Sequence, residues 1–361
     1  MRWVGAEMAK AQQTAGQPED SATGLAGRVD AVLGRKGFTT QGLRVRAAVA
    51  VVAVTVVAAG AGTFLVDNLT NAFGPDSVCG GAVSADLLND ALGPGKVSDQ
   101  AFGDGHLRNG SALCMAKVSS GVFGDERSVT VELRKNPDLS VVAQDSEARL
   151  FGASANGGAS GAAFDHRAWA LLPQGCDSGQ RVTVRADRGE RPGAGKLAAL
   201  AVSTADRIAA QQGCGTSPMP APRQLSPAGQ DHDLDRNAVC GLPGVTVPET
   251  PGGPAFRETV TTATDPLWTC LIHSDANPQS SITFTIGTEP RLLLPAPPKD
   301  EPGVGRARWI KPGEMVATCQ GRPTYFRMDL NGFWDLVPDS KTTWTQFLTA
   351  GAKAIGCEPI V

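Results

Sequence analysis

The sequence predicts an α+β protein made of two tandem disulfide-stapled domains, each an antiparallel sheet with a C-terminal helix, placed after a single transmembrane helix. Three observations support this prediction. The eight cysteines fall into two similarly spaced sets of four, strand and helix patterns recur in the same order around both sets, and an uncharged apolar run precedes the first cysteine.

The cysteine spacing indicates a duplicated domain. The intervals are 35, 62 and 38 residues in the first set and 30, 49 and 38 residues in the second. Because all eight cysteines lie on the same side of the apolar run, we expect them to form disulfides in an oxidising compartment outside the cytoplasm. The first set is Cys79, Cys114, Cys176 and Cys214, and the second is Cys240, Cys270, Cys319 and Cys357.

Four cysteines allow three pairings in each repeat, and sequence alone leaves these open. The 38-residue interval that both repeats share favours a local bridge between a strand and the closing helix. We therefore expect Cys176–Cys214 and Cys319–Cys357, which leaves Cys79–Cys114 and Cys240–Cys270. Closing loops of this length contributes about 3–4 kcal/mol of stability per bridge in the chain-entropy model.

Strand patterns recur after the second and third cysteines of each set. Alternating runs rich in β-branched residues follow the second cysteine, at 128–133 and 281–286, and another strand is predicted after the third cysteine, at 180–185 and 324–329. A tryptophan also precedes the third cysteine of each set, at Trp169 and Trp309. This shared order predicts the same kind of sheet in both repeats.

A closing helix is predicted before the fourth cysteine of each set. Each helix ends at a Gly-Cys pair, where glycine suits a helix C-terminus. Apolar residues recur at helical spacing in both segments. They are Leu197, Leu200, Ala201, Ala205, Ile208 and Ala209 in the first repeat and Trp344, Phe347, Leu348, Ala352 and Ile355 in the second.

The repeats diverge after their opening Cys-Gly pairs. Ser84–Leu92 predicts an amphipathic helix with Ser84 as its N-cap. Proline excludes the same helix from the second repeat, at Pro243, Pro248, Pro251 and Pro254. The two repeats therefore need not share a ligand.

The apolar run Ala47–Val66 contains 20 consecutive uncharged residues, and a helix of that length spans about 30 Å, roughly one hydrocarbon core. Basic residues precede it and Asp67 follows it, so the positive-inside rule places the N-terminus in the cytoplasm and both repeats outside. A cleaved signal peptide is the alternative, since Ala59-Gly60-Ala61 matches a cleavage site. The charged leader of 46 residues favours a retained single-pass anchor instead.

These features set the predicted domain boundaries. Residues 1–46, with seven basic and four acidic residues, are expected to form a largely disordered cytoplasmic tail. The transmembrane helix is 47–66, the first extracellular repeat is 78–215, the linker is 216–237 and the second repeat is 238–361. The linker is proline-rich and predicted to be extended and semi-rigid. The net charge of −3 is too small to indicate a nucleic-acid partner.

The sequence carries no recognisable catalytic signature, so we predict a protein that is not an enzyme, with no catalytic residues, cofactor or metal. It contains no nucleophile elbow, zinc-protease motif, P-loop or dinucleotide-binding glycine motif. The adjacent Asp165 and His166 are interpreted as a polar pair in a loop. The cysteines lack the close spacing of zinc ligands. The four histidines are scattered along the chain, at His106, His166, His232 and His273.

One acidic pattern has an alternative interpretation. Asp231, Asp233 and Asp235 alternate as in the first half of an EF-hand calcium loop. However, Arg236 replaces the turn glycine of that loop and Leu242 replaces its bidentate glutamate. The pattern therefore favours the acidic end of a linker.

The tryptophans also allow two interpretations. They can line a carbohydrate or lipid groove, or they can pack in the core around the disulfides. Their positions beside cysteines and on the closing helix favour the core. The residues concerned are Trp169, Trp268, Trp309, Trp334 and Trp344.

Several short motifs accompany the cysteines: the opening Cys79-Gly80, the pairs Leu87-Leu88 and Leu92-Gly93, the strand start Trp268-Thr-Cys270 and the helices that end in Gly-Cys. With these motifs the chain resembles membrane-anchored secreted proteins of actinomycetes of the Streptomyces type. It also loosely resembles the small α+β modules of actinobacterial envelope lipoproteins, the DUF3558-like group, although it lacks their lipobox. The resemblance implies an envelope location and no particular activity.

The predicted function follows from these features. We expect a single-pass protein of the cell membrane that displays two extracytoplasmic, non-enzymatic binding modules to an envelope protein or a cell-wall partner. Duplication favours binding, because two modules that engage together raise avidity. The alternatives are a carrier or sensor of an apolar small molecule or lipid, and an envelope enzyme whose site is assembled from scattered residues.

Overall fold

The computed structural model describes residues 70–102, 113–120, 125–135, 148–153, 155–177, 179–215, 217–248, 255–261, 267–277, 280–292, 302–332, 337 and 339–361. The predicted tail at 1–46, the predicted transmembrane helix at 47–66, His106 and Trp334 lie outside these residues. Within the described ranges, no helix is long and apolar enough to cross a membrane.

The first repeat begins with a small hairpin of β1 (Ser77–Val78) and β2 (Val83–Ser84), and helix α1 (Ala85–Leu92) follows directly. A seven-stranded antiparallel sheet and helix α2 (Ala194–Gln212) complete the repeat. The strands are β3 (Lys96–Phe102), β4 (Leu113–Ser120), β5 (Asp125–Lys135), β6 (Arg149–Phe151), β7 (Gly161–Ala163), β8 (Arg167–Leu171) and β9 (Gln180–Arg188). Their spatial order is β3-β4-β5-β9-β8-β7-β6.

The second repeat contains an eight-stranded antiparallel sheet and the closing helix α3 (Ser340–Ala354), with short 3-10 turns at Val239–Gly241 and Pro290–Leu292. The strands are β10 (Gln230–Asp233), β11 (Arg257–Val260), β12 (Leu267–His273), β13 (Ser281–Gly287), β14 (Gly303–Val304), β15 (Ala307–Lys311), β16 (Glu314–Cys319) and β17 (Arg322–Asn331). Their spatial order is β10-β11-β12-β13-β17-β16-β15-β14.

The two sheets have the same topology once the edge strand β10 is set aside. In the first sheet β5 pairs with β9, and β8, β7 and β6 follow on the far side of β9. In the second sheet β13 pairs with β17, and β16, β15 and β14 follow on the far side of β17. The four strands predicted from alternation correspond to β5, β9, β13 and β17, and both closing helices are present. The structure therefore confirms a mixed α+β architecture built from antiparallel sheets.

Helix α1 has no counterpart among the described residues of the second repeat, which exclude 249–254. Ser84 occupies its N-cap position with extended backbone angles, but its side chain makes no capping hydrogen bond. In the second repeat the 3-10 turn Val239–Gly241 follows the opening of the repeat instead. Both closing helices end beside a glycine with positive φ, at Gly213 (φ 69°) and Gly356 (φ 70°).

All eight cysteines form disulfides, and the pairing is the one favoured by the shared spacing. The bridges are Cys79–Cys114, Cys176–Cys214, Cys240–Cys270 and Cys319–Cys357. In each repeat one bridge joins the opening Cys-Gly turn to a strand, β4 in the first repeat and β12 in the second. The other bridge joins the cysteine that follows the closing helix to the third cysteine, which lies after β8 in the first repeat and at the end of β16 in the second. The Cα–Cα separations of 4.9–5.8 Å are usual for disulfides.

Both faces of each sheet are buried where the repeats meet. In β8, Ala168 and Ala170 belong to the core beneath α2, while the alternating Trp169 and Leu171 belong to a separate apolar cluster. In β17, Phe326 packs in the core beneath α3 and its neighbour Tyr325 belongs to that same separate cluster. Since successive strand residues point to opposite faces, each sheet has one face under its helix and the other towards the partner repeat.

The separate cluster, which we call the inter-repeat core, joins the two sheets. It combines residues of β6, β7 and β8 with residues of β12, β16 and β17, so the sheets pack against each other between the two helices. Its buried members are Ala148, Leu150, Ala162, Phe164, Trp169, Leu171, Leu267, Leu292, Val316 and Tyr325.

A buried polar network fixes the register of this contact. The Ser160 hydroxyl donates to Glu289 at 2.6 Å, and the Arg291 guanidinium bonds Glu289 through Nε at 2.8 Å and Nη2 at 2.9 Å. Arg291 also donates to the Leu172 carbonyl at 3.1 Å. Burial would raise the pKa of Glu289, but Arg291 and Ser160 outweigh burial and lower it. The carboxylate is thus kept charged by Arg291 of the same repeat, and the Ser160 hydroxyl binds it across the repeat boundary.

The linker at 216–237 differs from a free spacer, because it lies along the first repeat. Ser226 exchanges two hydrogen bonds of 2.7 Å with the Leu150 backbone, which covers the edge of β6. The Asn156 side chain accepts from the backbone of Arg223 and Gln224, and the Met219 side chain is buried in the first core. The last part of the predicted linker forms β10, so it belongs to the second sheet.

We predict that Leu171→Ala uncouples unfolding of the two repeats. Leu171 is fully buried in the inter-repeat core, and truncating such a leucine costs about 2–5 kcal/mol. Calorimetry should show one cooperative transition for the parent chain and two resolved transitions for the variant. Leu133→Ala is the matched control, because Leu133 is equally buried but lies in the core beneath α2. It should shift the transition without splitting it, and identical traces for both variants would contradict the prediction.

A second prediction concerns Tyr325, the only tyrosine of the chain. Burial, and then the nearby Glu314, raise its pKa to about 12. The tyrosinate absorbance of the folded chain should therefore appear near pH 12. The raised pKa also means that the neutral phenol stabilises the fold below about pH 10, and this stability is lost as the pH rises towards 12. Tyr325→Phe should abolish the absorbance step. A step near pH 10 in a folded chain would contradict the buried placement.

Candidate functional site

A groove of about 740 Å³ opens at one end of the second sheet, between β15, β17 and the start of α3. Its volume falls within the range of about 300–1,000 Å³ typical of small-molecule sites. Apolar and charged side chains share the lining. The lining residues are Pro302, Trp309, Ile310, Lys311, Pro312, Gly313, Arg327, Met328, Asp329, Leu330, Ser340 and Trp344.

A pair of tryptophans forms the aromatic part of the groove. The half-buried Trp309 comes from β15 and the buried Trp344 from α3, with ring centroids 5.2 Å apart and ring planes at 84°. Trp344 also packs on Phe347 of the same helix at 5.9 Å. This edge-to-face arrangement is a favoured geometry for aromatic pairs, and it supports the Trp309 ring from behind.

The groove exists because the β15–β16 hairpin is shorter than the strand beside it. The hairpin turns through Pro312-Gly313 opposite Arg327, and β17 continues to Asn331. Gly313 has a φ of 77° and accepts a 2.9 Å hydrogen bond from the Met328 amide. A Cβ on Gly313 would lie 2.8 Å from the Met328 carbonyl oxygen, so only glycine allows the turn to dock this closely.

Ion pairs lie at the same end of the sheet, on the face turned away from the tryptophans, because Arg327 and Asp329 alternate along β17 with Met328 and Leu330, which pack on the α3 side. Arg327 contacts Glu314 at 3.3 Å and Asp329 at 2.9 Å, and Lys311 contacts Glu314 at 3.3 Å. The Glu314 side chain is buried, whereas Asp329 is 43% exposed. Two cations and two carboxylates therefore balance each other, and their side chains are held in place by mutual contacts.

The first repeat has a different surface at the corresponding strand. By position in the sheet β7 corresponds to β15, and β7 consists of Gly161, Ala162 and Ala163, with no aromatic residue. A Cβ on Gly161 would lie 2.5 Å from the Phe151 ring, which shows how closely this region is packed. The repeats thus share a topology but not this aromatic pair.

The two tryptophans that precede the third cysteines are not equivalent. Trp169 lies on β8 and packs in the inter-repeat core, whereas Trp309 lies on β15 and packs on the α3 side of its sheet. Trp169, Trp268 and Trp344 are buried, at most 8% exposed, but only Trp268 and Trp344 belong to a core that contains disulfide cysteines, as was predicted. Trp309 combines core packing with a wall of the groove.

A second recurring arrangement lies at the opening Cys-Gly turns. Cys79 (φ 56°) and Cys240 (φ 62°) both have left-handed backbones, and a carboxylate accepts a hydrogen bond from each cysteine amide. Asp99 accepts from Cys79 at 2.5 Å, and Glu258 accepts from Cys240 at 2.7 Å. Asp99 lies two residues before Ala101, which pairs with Cys114, and Glu258 lies two residues before Val260, which pairs with Cys270. The arrangement therefore recurs at the same place in both sheets.

These carboxylates do not make the cysteines a metal centre. In the described part of the chain, the clusters with metal-ligand spacing each consist of one disulfide and one carboxylate, from Asp99, Glu258 or Glu358. Cysteine binds a metal as a thiolate, and all these sulfurs are bonded in disulfides. The carboxylates therefore hold the turns rather than an ion.

The predicted acidic pattern is held by Arg257 and does not form a calcium loop. Arg257 bonds both Asp231 and Asp233, and the latter contact measures 3.0 Å. The backbone here is strand β10, not a turn around an ion. His273 approaches Asp231 at 3.1 Å. Partial burial acts to raise the pKa of Asp231, but Arg257 and His273 lower it overall.

The histidines do not converge on a nucleophile in the described structure. His232 contacts the buried Glu258 at 3.0 Å and His273 contacts Asp231, so each faces a carboxylate. His166 lies in the turn between β7 and β8, with its ring 6.1 Å from that of Phe164. These contacts organise strand pairing and a turn.

Comparison with known proteins identifies no relative. No protein-family model, no curated protein and no solved structure matches the chain.

We predict that Glu258→Ala lowers the free energy of unfolding by about 1–3 kcal/mol, because it leaves the buried Cys240 amide without an acceptor. Glu258→Gln should lose less, since its amide oxygen can still accept. Asp99→Ala is the matched control in the first repeat, where the acid is exposed and water can replace it. Denaturant titration measures all three variants. Equal stability of Glu258→Ala and the parent chain would show that the turn needs no acceptor.

Proposed function

We propose that this chain is a non-enzymatic binding protein of the cell envelope and that its ligand site is the groove of the second repeat. In this proposal residues 47–66 anchor the chain in the membrane and both repeats lie outside the cytoplasm. The observation that carries the proposal is the pairing of Trp309 and Trp344 in a groove of small-molecule size.

The disulfides support an extracytoplasmic location. Four bridges staple cores in which alanine contributes much of the packing, as in the first repeat beneath α2. Such bridges persist in oxidising compartments and are rare in the cytosol. The uncharged run at 47–66, with basic residues before it and Asp67 after it, supports the membrane anchor and its orientation.

The arrangement of the repeats supports one binding site on a scaffold rather than two separate modules. The inter-repeat core and the packed linker join the sheets, so the repeats do not move apart to engage two ligands. The first repeat has glycine and alanine where the second has Trp309. Its role in this proposal is to present and support the second repeat.

The second candidate is a carrier of an apolar small molecule. It is favoured by the uncharged part of the groove, where Met328, Leu330 and Ile310 lie beside the tryptophans. Against it, Pro302 and Pro312 are exposed and Trp309 is only half-buried, so the groove is open to water, whereas small-molecule sites typically bury most of their ligand. Contact with part of a larger partner fits such an open groove.

The test is quantitative capture of envelope material by the full chain, compared with its Trp309→Ala variant. Truncation of a central aromatic anchor typically costs 2 kcal/mol or more, so we expect capture to fall by about 30-fold. Phe73→Ala is the control, because Phe73 is an exposed aromatic residue outside the groove lining, and it should leave capture unchanged. Equal capture by Trp309→Ala and the parent, or turnover of peptidoglycan, ester or peptide substrates, would overturn the proposal.

A further inference from the structure

We propose that the docking of strand β10 on the second sheet is a pH-dependent switch, in which two histidine–carboxylate pairs hold the strand and it loosens as both histidines lose their charge. One pair lies on each face of the strand: His232 with Glu258, and His273 with Asp231. The inference goes beyond the proposed function and does not depend on it, because β10 lies at the edge of the second sheet remote from the groove.

Strand β10 has little apolar surface to hold it in place. It is an edge strand of four residues that pairs only with β11, and all four of its residues are exposed. Burial of apolar surface therefore contributes little to its docking. Its polar contacts with the neighbouring strands decide whether it stays paired.

The first pair joins an exposed histidine to a buried carboxylate. His232 Nε2 lies 3.0 Å from Glu258, and the Glu258 side chain is 1% exposed. The other ring nitrogen, Nδ1, lies 3.2 Å from the Gln230 carbonyl oxygen. A carbonyl and an ionised carboxylate only accept hydrogen bonds, so the imidazolium, with an N–H at both positions, satisfies both contacts and neutral imidazole satisfies one.

Glu258 depends on His232 for its neutralising charge. Among the described residues, His232 is the one cation that contacts Glu258, whose second carboxylate oxygen accepts from the Cys240 amide at 2.7 Å. A buried carboxylate that loses its cation is unfavourable, and it regains hydration if the strand above it moves away. Loss of the proton from His232 therefore favours the loosened strand.

The second pair joins β10 to β12 across β11. His273 Nε2 lies 3.1 Å from Asp231 on the opposite face of the sheet from Glu258. Arg257 contacts both Asp231 and Asp233, and its charge does not titrate near neutral pH. This face therefore weakens only in part as the pH rises, and His232 supplies the larger share of the response.

The other charged groups near β10 do not replace the histidines. Asp235 accepts from backbone amides of its own turn, and Arg236 donates to a backbone carbonyl and lies over the Phe256 ring. Asp275 adds a negative charge near Arg257. Histidines change charge between about pH 5 and 8, where ordinary carboxylates and arginines stay ionised, so the response in this window belongs to the two histidines.

Loosening of β10 uncovers the edge of β11 without separating the repeats. The backbone groups of β11 that pair with β10 become free to bind another strand. The inter-repeat core contains no residue of β10 or β11, so the contact between the two sheets persists. The switch thus changes one sheet edge at the end of the linker.

The test is amide hydrogen exchange of the full chain at about pH 5.5 and about pH 8, on either side of the histidine range. Results are expressed as protection factors, which removes the intrinsic effect of pH on exchange. We expect the protection of β10 and β11 amides to fall at least about tenfold at the higher pH, through local opening. Amides of β4 and β5 in the first repeat are the internal reference and should keep their protection.

Three histidine variants assign the response. His232→Gln removes the titrating group but keeps a donor for Glu258, so most of the pH response should disappear. His273→Gln should reduce the response less, because Arg257 still holds Asp231. His166→Gln is the matched control and should leave the response unchanged, since His166 lies between β7 and β8 of the first repeat.

Glu258→Gln gives an independent check from the carboxylate side. A neutral side chain needs no cation, so this variant should also lose most of the pH response, whatever its overall stability. Equal protection of β10 in the parent chain at both pH values would overturn the proposal. So would a full response in a chain that carries both His232→Gln and His273→Gln, or a fall of equal size in β4 and β5.

Discussion

The packing of one sheet against the other covers the apolar face that each closing helix leaves open. A sheet with a helix on one face leaves its second face exposed, and the alternation of Trp169 and Leu171 with Ala168 and Ala170 makes both faces of β8 apolar. The inter-repeat core covers that second face in both repeats, with Tyr325 and Val316 contributed by the second. The hydrogen bonds from Ser160 to Glu289 and from Arg291 to the Leu172 carbonyl then set the register, because a slip would break both of these contacts.

The two repeats share a backbone frame and differ in the side chains that it carries. In both repeats a disulfide and a carboxylate hold the opening Cys-Gly turn, whose cysteine has a left-handed backbone. Within that frame the first repeat packs small residues on β7, while the second places Trp309 on the corresponding β15 and stops its hairpin early at Gly313. The groove thus arises from a shortened hairpin and large side chains, without any change in topology.

The sequence predicted the features that depend on local pattern or on cysteine spacing. Strand alternation located β5, β9, β13 and β17, the Gly-Cys pairs located the helix ends, and the 38-residue interval favoured the observed pairing. It did not predict the inter-repeat core, because an apolar residue on a strand does not reveal which of two partners covers it. It did not predict the groove either. Arg327 and Asp329 alternate with Phe326 and Met328 along β17, which indicates a two-faced strand, but the gap beside them depends on where a distant hairpin ends. The shared order of Trp169 and Trp309, each before the third cysteine of its set, was also misleading, since the two residues lie on strands that do not correspond.

We expect the inter-repeat core to hold the two repeats as one rigid body, and backbone residual dipolar couplings distinguish this from independent motion. Couplings from amides of β4, β5 and β9 report on the first sheet, and those from β12, β13 and β17 report on the second. If the sheets are fixed to each other, one alignment tensor fits both sets. If the sheets reorient independently about the linker, the two sets require tensors of different magnitude, and that result would contradict the account.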